Sequence, residues 1–137
     1  YAMPKEINIL VETNGIFSDS RFLARMLREI NCNNAGVSWN VNHTVRYSFE
    51  KPAQTVAVFG NRLKHVHLND TLSQNGSIEC KPLGRGDLPI KETVAALKEN
   101  GYSGYISLDW PKRDHPELLD ADTILPQFLY YIKNLME

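Results

Sequence analysis

Glu12, Asn40, His67 and Asp109 each stand near the end of a short β-branched or aromatic run, on the side that carries the run's polar groups. Two carboxylates, an amide and an imidazole brought together suit two kinds of chemistry. Mixed oxygen and nitrogen donors can hold a hard divalent cation. The two carboxylates can also take and return a proton as a paired base and acid. Alone, each residue has a plainer role: Glu12 a helix cap, Asn40 a turn residue, His67 a hydrogen-bonded interior histidine, Asp109 an N-cap or a partner of Lys112. Their recurrence at equivalent places on four successive strands favours one shared site.

The elements that must position them follow from the pattern. Ile7 to Glu12, Gly36 to Val41, Leu63 to Leu68 and Gly104 to Trp110 read as strands. Helices are predicted over 21–30, 52–59, 90–99 and about 121–135, the last with Ile124, Leu125, Phe128, Leu129 and Ile132 as its buried face. Ser18-Asp19-Ser20 offers N-caps to the first helix, and Asn31 begins the turn that ends it. Pro52 opens the second, and Asn100-Gly101 closes the third. His43 falls in a loop, and residues 69–89 form a long polar loop.

This order is βα repeated four times, which indicates a parallel sheet with crossover helices. Side chains two apart share a strand face. Val37, Trp39 and Val41 therefore oppose Ser38 and Asn40, and Val66 and Leu68 oppose His65, His67 and Asn69. A doubly wound sheet needs apolar residues on both faces, because helices cover both. A barrel instead gathers polar groups inside, at its C-terminal mouth. The polar second faces select the barrel, and four strands make half of one.

The bulk numbers exclude other classes. The chain has 137 residues, enough for one core, with 15 basic and 16 acidic side chains and a formal net charge of −1. That balance lacks the excess Lys and Arg of a nucleic-acid-binding face. No apolar run is long enough for a transmembrane span, so no membrane partner is expected. The first residues, Tyr1 to Glu6, lack the apolar stretch of a signal peptide. Cys32 and Cys80 belong to no CxxC pattern and read as reduced thiols of a cytoplasmic protein.

At these positions the sequence resembles the xylose isomerase-like superfamily of sugar and sugar-phosphate isomerases and epimerases. The matching text is Val11-Glu12-Thr13, Trp39-Asn40-Val41-Asn42-His43, His65-Val66-His67-Leu68-Asn69-Asp70, Leu83-Gly84-Arg85-Gly86-Asp87 and Gly101 through Trp110, with Asp114-His115-Pro116-Glu117-Leu118 closing it. The resemblance implies an α/β fold: a parallel (βα)4 unit corresponding to strands 5–8 of a (βα)8 TIM barrel. Residues 1–137 would be its C-terminal half, with the N-terminal half absent. It implies a divalent metal (Mn, Mg, Co or Zn) at Glu12, Asn40, His67 and Asp109, and Glu12 and Asp109 as the catalytic acid and base. It also implies His43, His65 and Arg85 as substrate-binding residues for a sugar or sugar phosphate.

Two positions depart from the family pattern. Asn40 stands where the family has Asp, and Asp109 where it has Glu, which leaves the metal held weakly or lost. A non-catalytic sugar-binding or assembly module is therefore the alternative. The abasic-site endonuclease branch of the superfamily would need further ligands and a basic surface, and neither is visible. The remaining partner expected is an N-terminal half-barrel in the same chain, or a second copy if the unit is isolated.

Overall fold

The computed structural model describes residues 7–30 and 32–137. The expectations for Tyr1 to Glu6 and for the turn at Asn31 lie outside these residues. The elements run β1 (Ile9–Glu12), α1 (Ser20–Ile30), β2 (Ala35–Asn40), α2 (Val41–Ser48), α3 (Pro52–Phe59), β3 (Leu63–Leu68), β4 (Asp70–Gln74), β5 (Ser77–Lys81), α4 (Ile90–Glu99), β6 (Tyr105–Leu108) and α5 (Ala121–Met136).

Strands β1, β2, β3 and β6 form one four-stranded sheet in that order, and every pair is parallel. The four-fold βα order read from the sequence is the order observed. Val37 and Trp39 of β2, Val66 and Leu68 of β3, and Leu23 and Leu27 of α1 are fully buried in one core with Val56 and Leu97. This is the apolar strand face covered by helices. On the opposite face, Ser38 and Asn40 are also nearly inaccessible. The outer strands are open: Ile9 on β1 is 56% exposed and Tyr105 on β6 is 82% exposed.

Local chemistry explains most boundaries. Asp19 Oδ1 accepts from the backbone N–H groups of Arg21 and Phe22, so Asp19 caps α1. Pro52 begins α3, and Gln54 reaches back to the Lys51 backbone. The indole N–H of Trp39 donates to Thr44 Oγ1 at 2.9 Å, tying β2 to α2 inside the core. Thr44→Val keeps the shape and strands that donor, so unfolding in urea should show a loss of about 1–2 kcal/mol. A change near zero would show that the bond contributes nothing.

Three expectations need correction. His43 lies on a helix, because α2 starts directly at the end of β2. The expected loop 69–89 contains an antiparallel hairpin of β4 and β5. Its turn is Asn75-Gly76, both at positive φ (52° and 78°), which suits the two-residue hairpin connection that Asn-Gly favours. On α5 the buried positions are Ile124 and Phe128, while Leu125 and Leu129 are about half exposed. Phe128 joins the core, and Tyr131, Ile132 and Leu135 pack half-buried against it.

Candidate active site at the strand ends

Asn40 ends β2 and occupies the cap position of α2, yet its side chain makes no cap bond. It turns inward instead. Its Nδ2 donates to Glu12 Oε1 at 3.3 Å and to Asp109 Oδ2 at 3.0 Å. Glu12 ends β1, and Asp109 follows β6 with its backbone N–H on the Leu68 carbonyl at 2.8 Å. In a flat sheet β2 and β6 would be about 9–10 Å apart, two strand spacings. A single amide bonding to both outer strands therefore requires the sheet to curl inward, as a barrel wall does.

Neighbouring groups hold the cluster in place. Thr13 is fully buried; its hydroxyl receives the Asn40 N–H at 2.8 Å and donates to the Asn40 carbonyl at 3.2 Å. The Thr13 carbonyl in turn accepts from His43 Nδ1 at 2.8 Å. A carbonyl can only accept, so His43 carries its proton on Nδ1 and keeps Nε2 for another partner. Asn69 Nδ2 donates to Asp109 Oδ2 at 3.4 Å. The side-chain oxygens of Asn40 and Asn69 are buried without partners, an arrangement that native interiors rarely tolerate outside functional sites.

His67 and His65 share the inner face of β3. Nδ1 of His67 and Nε2 of His65 both meet the Ser107 hydroxyl, at 3.0 and 2.8 Å. His65 stands two residues nearer the N-terminal end of the strand. Burial lowers its pKa below the ordinary imidazole range, and the neighbouring His67 adds to that.

Arg85 is carried on the loop between β5 and α4. Its loop is organised by Asp70, which is 1% exposed and accepts from the backbone N–H groups of Gly84 and Gly86 at 2.9 Å. Gly86 passes so close to Asp70 and the Thr71 carbonyl that a side chain there would overlap both. Arg46 of α2 ties this loop down through Thr71 and an ion pair with Asp87, whose carboxyl it holds below its usual range. The Arg85 guanidinium itself makes no hydrogen bond to the strand-end cluster among the described residues.

The structure thus unites Glu12, Asn40 and Asp109, places His67 on the strand between Asn40 and Asp109, and sets His43 behind Thr13. Thr13, Asn69 and Ser107 support the site and were not singled out in the sequence. Asn69 carried a signal, two residues after His67 on the same strand face; Ser107 carried the same one on β6. Hairpin strand β5 approaches the mouth. Burial raises the Cys80 thiol pKa, and the charges of Asp109 and Glu117 raise it further. Both cysteines are free.

A separate concavity, bounded by Val56, Gly60, Leu63, Lys64, Tyr102 and Gly104, lies at the N-terminal ends of β3 and β6. Tyr102 donates to the Tyr105 carbonyl there at 2.8 Å, and burial pushes its pKa to about 12. That end of a barrel serves stability, so the strand-end cluster is the candidate active site.

Neighbouring donors on an octahedral cation at about 2.1 Å are about 3 Å apart. The Asn40 amide stands at such separations from both carboxylates. Turning that amide end for end would set its orphaned oxygen, in place of nitrogen, beside them. Among the described residues no three His, Cys, Asp or Glu side chains are close enough to hold a metal by themselves. With the Asn40 oxygen turned toward them, Glu12, Asn40 and Asp109 offer three oxygen donors to one point, while His67 is not gathered with the two carboxylates.

Comparison with known proteins places this geometry. The D-allulose 3-epimerase of Methylomonas sp. is 24% identical, with a TM-score of 0.79 over 98% of this chain and 51% of that one. The D-psicose 3-epimerase of Clostridium cellulolyticum H10, solved with D-tagatose, is 16% identical, with a TM-score of 0.74 over 98% of this chain and 51% of that one. A xylose isomerase-like TIM barrel protein from Mycobacterium smegmatis, in complex with magnesium, is 14% identical, with a TM-score of 0.74 over 98% and 45%. At these identities the likeness establishes the fold. The chain spans about half the length of these structures. No curated protein matches the sequence. No helix among the described residues is long and apolar enough to cross a membrane. Residues 1–130 match the family described as xylose isomerase-like TIM barrel, so this chain belongs to that family and forms half of its barrel.

Proposed function

We propose that the chain carries the strand-end site of a sugar isomerase or epimerase, which moves a proton next to a carbonyl with the help of a divalent cation. The observation that supports this best is the Asn40 amide clasping Glu12 and Asp109 from opposite sides of the curled sheet. Glu12, Asn40 through its oxygen, His67 through Nε2, and Asp109 would hold the cation. Mn, Mg, Co and Zn all suit such donors. When bound, the cation supplies Lewis-acid polarisation of the substrate's carbonyl oxygen.

The chain's own groups do the rest. Glu12, the more exposed carboxylate, takes the proton from the carbon beside the carbonyl, and Asp109 returns one from the other side. His43, with its proton fixed on Nδ1, offers Nε2 as an acceptor to a sugar hydroxyl. Arg85, carried on the loop that Asp70 fixes, binds a more distant sugar oxygen or phosphate. His65 acts behind His67. The unit corresponds to the C-terminal half of the barrel; an N-terminal half-barrel, or a second copy where the unit stands alone, pairs with the open edges of β1 and β6.

The test is isotope exchange. The protein incubated with D-allulose or D-tagatose and Mn²⁺ in D₂O should place deuterium on the carbon beside the carbonyl, read by proton NMR. A sugar that binds without any exchange would instead support the second reading, a non-catalytic sugar-binding module. That reading is favoured because no three His, Cys, Asp or Glu side chains gather among the described residues.

A further inference from the structure

Ser107 lies between two imidazoles. Its Oγ is 2.8 Å from Nε2 of His65 and 3.0 Å from Nδ1 of His67, and the two ring centroids are 4.7 Å apart. A serine hydroxyl has one hydrogen to donate and lone pairs with which to accept. Between two neutral rings it donates to one and must accept from the other. The three groups share one direction of donation, so the tautomers of the two histidines are coupled.

We infer that this row runs from His67 through Ser107 to His65: Nδ1–H of His67 donates to Ser107, and Ser107 donates to Nε2 of His65. Ser107 and His65 are then positioning residues for His67. They hold its proton on Nδ1 and leave the lone pair of Nε2 bare.

One observation favours this direction. Among the described residues, the His67 ring hydrogen-bonds only through Nδ1, so a proton on Nε2 would be a half-buried donor with no acceptor. In the direction inferred, His65 carries its proton on Nδ1. The reverse direction leaves His67 Nε2–H unanswered.

The consequence, though not the geometry, rests on the metal-assisted reading. A cation takes the bare nitrogen of a neutral imidazole, and the hydrogen bond at the other nitrogen decides which one is bare.

Long-range proton–nitrogen correlation spectra of the ¹⁵N-labelled, metal-free chain read the tautomers directly, about two pH units above the ordinary imidazole pKa. Both His65 and His67 should appear in the Nδ1–H form. Ser107→Ala should return His67 to the Nε2–H form that imidazole prefers in water, and Ser107→Thr, which keeps a hydroxyl, should preserve Nδ1–H. Mn²⁺ affinity should fall 10–100-fold in Ser107→Ala and stay near the parent in Ser107→Thr. His67 in the Nε2–H form in the parent chain overturns the inference even if Mn²⁺ binds. His67 in the Nδ1–H form in a chain that binds no Mn²⁺ upholds it and removes the cation reading instead. If Ser107→Ala does not fold, the parent spectrum decides alone.

Discussion

Asp70→Asn is expected to cost roughly 3–5 kcal/mol of unfolding free energy and to free the Leu83–Leu88 segment from β4. The side chain is buried, and its carboxylate is the acceptor for four backbone donors. Oδ2 takes Gly84 and Gly86, both at 2.9 Å; Oδ1 takes Thr71 at 2.9 Å and Leu88 at 3.3 Å. Hydrogen bonds to a charged group contribute about 1.5–3 kcal/mol each, and they do not add fully. The amide has the carboxylate's shape, so no cavity opens, and the loss is electrostatic. One end becomes an NH₂ group aimed at N–H donors. Urea unfolding gives the free energy, and faster hydrogen exchange at Gly84 and Gly86 locates it. A loss under about 1 kcal/mol would mean that the loop is held by Arg46 and the close backbone at Gly86 instead.

Glu12→Gln should lower turnover by about 10²–10⁴-fold, the range by which a positioned base accelerates proton transfer. Glutamine keeps an oxygen for the Asn40 Nδ2 contact and removes the charge and basicity. Glu12 is exposed, and it packs nothing in the core. Stability should therefore change by no more than about 0.5 kcal/mol, as for other surface substitutions. Steady-state rates with the sugar that shows exchange, together with a melting curve, separate the two effects. Unchanged turnover would remove Glu12 from the chemistry. Lost turnover with lost folding would show a structural role that the contacts do not indicate.

The sequence pattern made the sheet legible because each strand keeps an apolar face for the helices and a polar one for the interior. Val37 and Trp39 against Ser38 and Asn40 is the clearest case, and the four residues at the strand ends followed from it. Elements with weaker patterns were missed. α2 has no side-chain cap, since Asn40 turns into the site, and its one turn of buried residues is too short to show a period. The β4–β5 hairpin hid in a polar stretch whose exposed side chains lack alternation, although Asn75-Gly76 marked its turn. The supporting shell was the least visible. Thr13, Asn69 and Ser107 act across strands, and such pairings depend on register and on the inward curl. Neither is written in any local window of sequence.

The proposed chemistry rests on one cation site built from four strand ends. Titration of the metal-free chain with Mn²⁺, followed by the loss of the free-ion signal in electron paramagnetic resonance, addresses it most directly. One Mn²⁺ per chain is expected. Asn40→Asp should bind about tenfold or more tightly, because affinity rises with the charge of the ligands, and Glu12→Gln should bind far more weakly. No binding, or binding that neither substitution changes, would contradict a cation site at these strand ends.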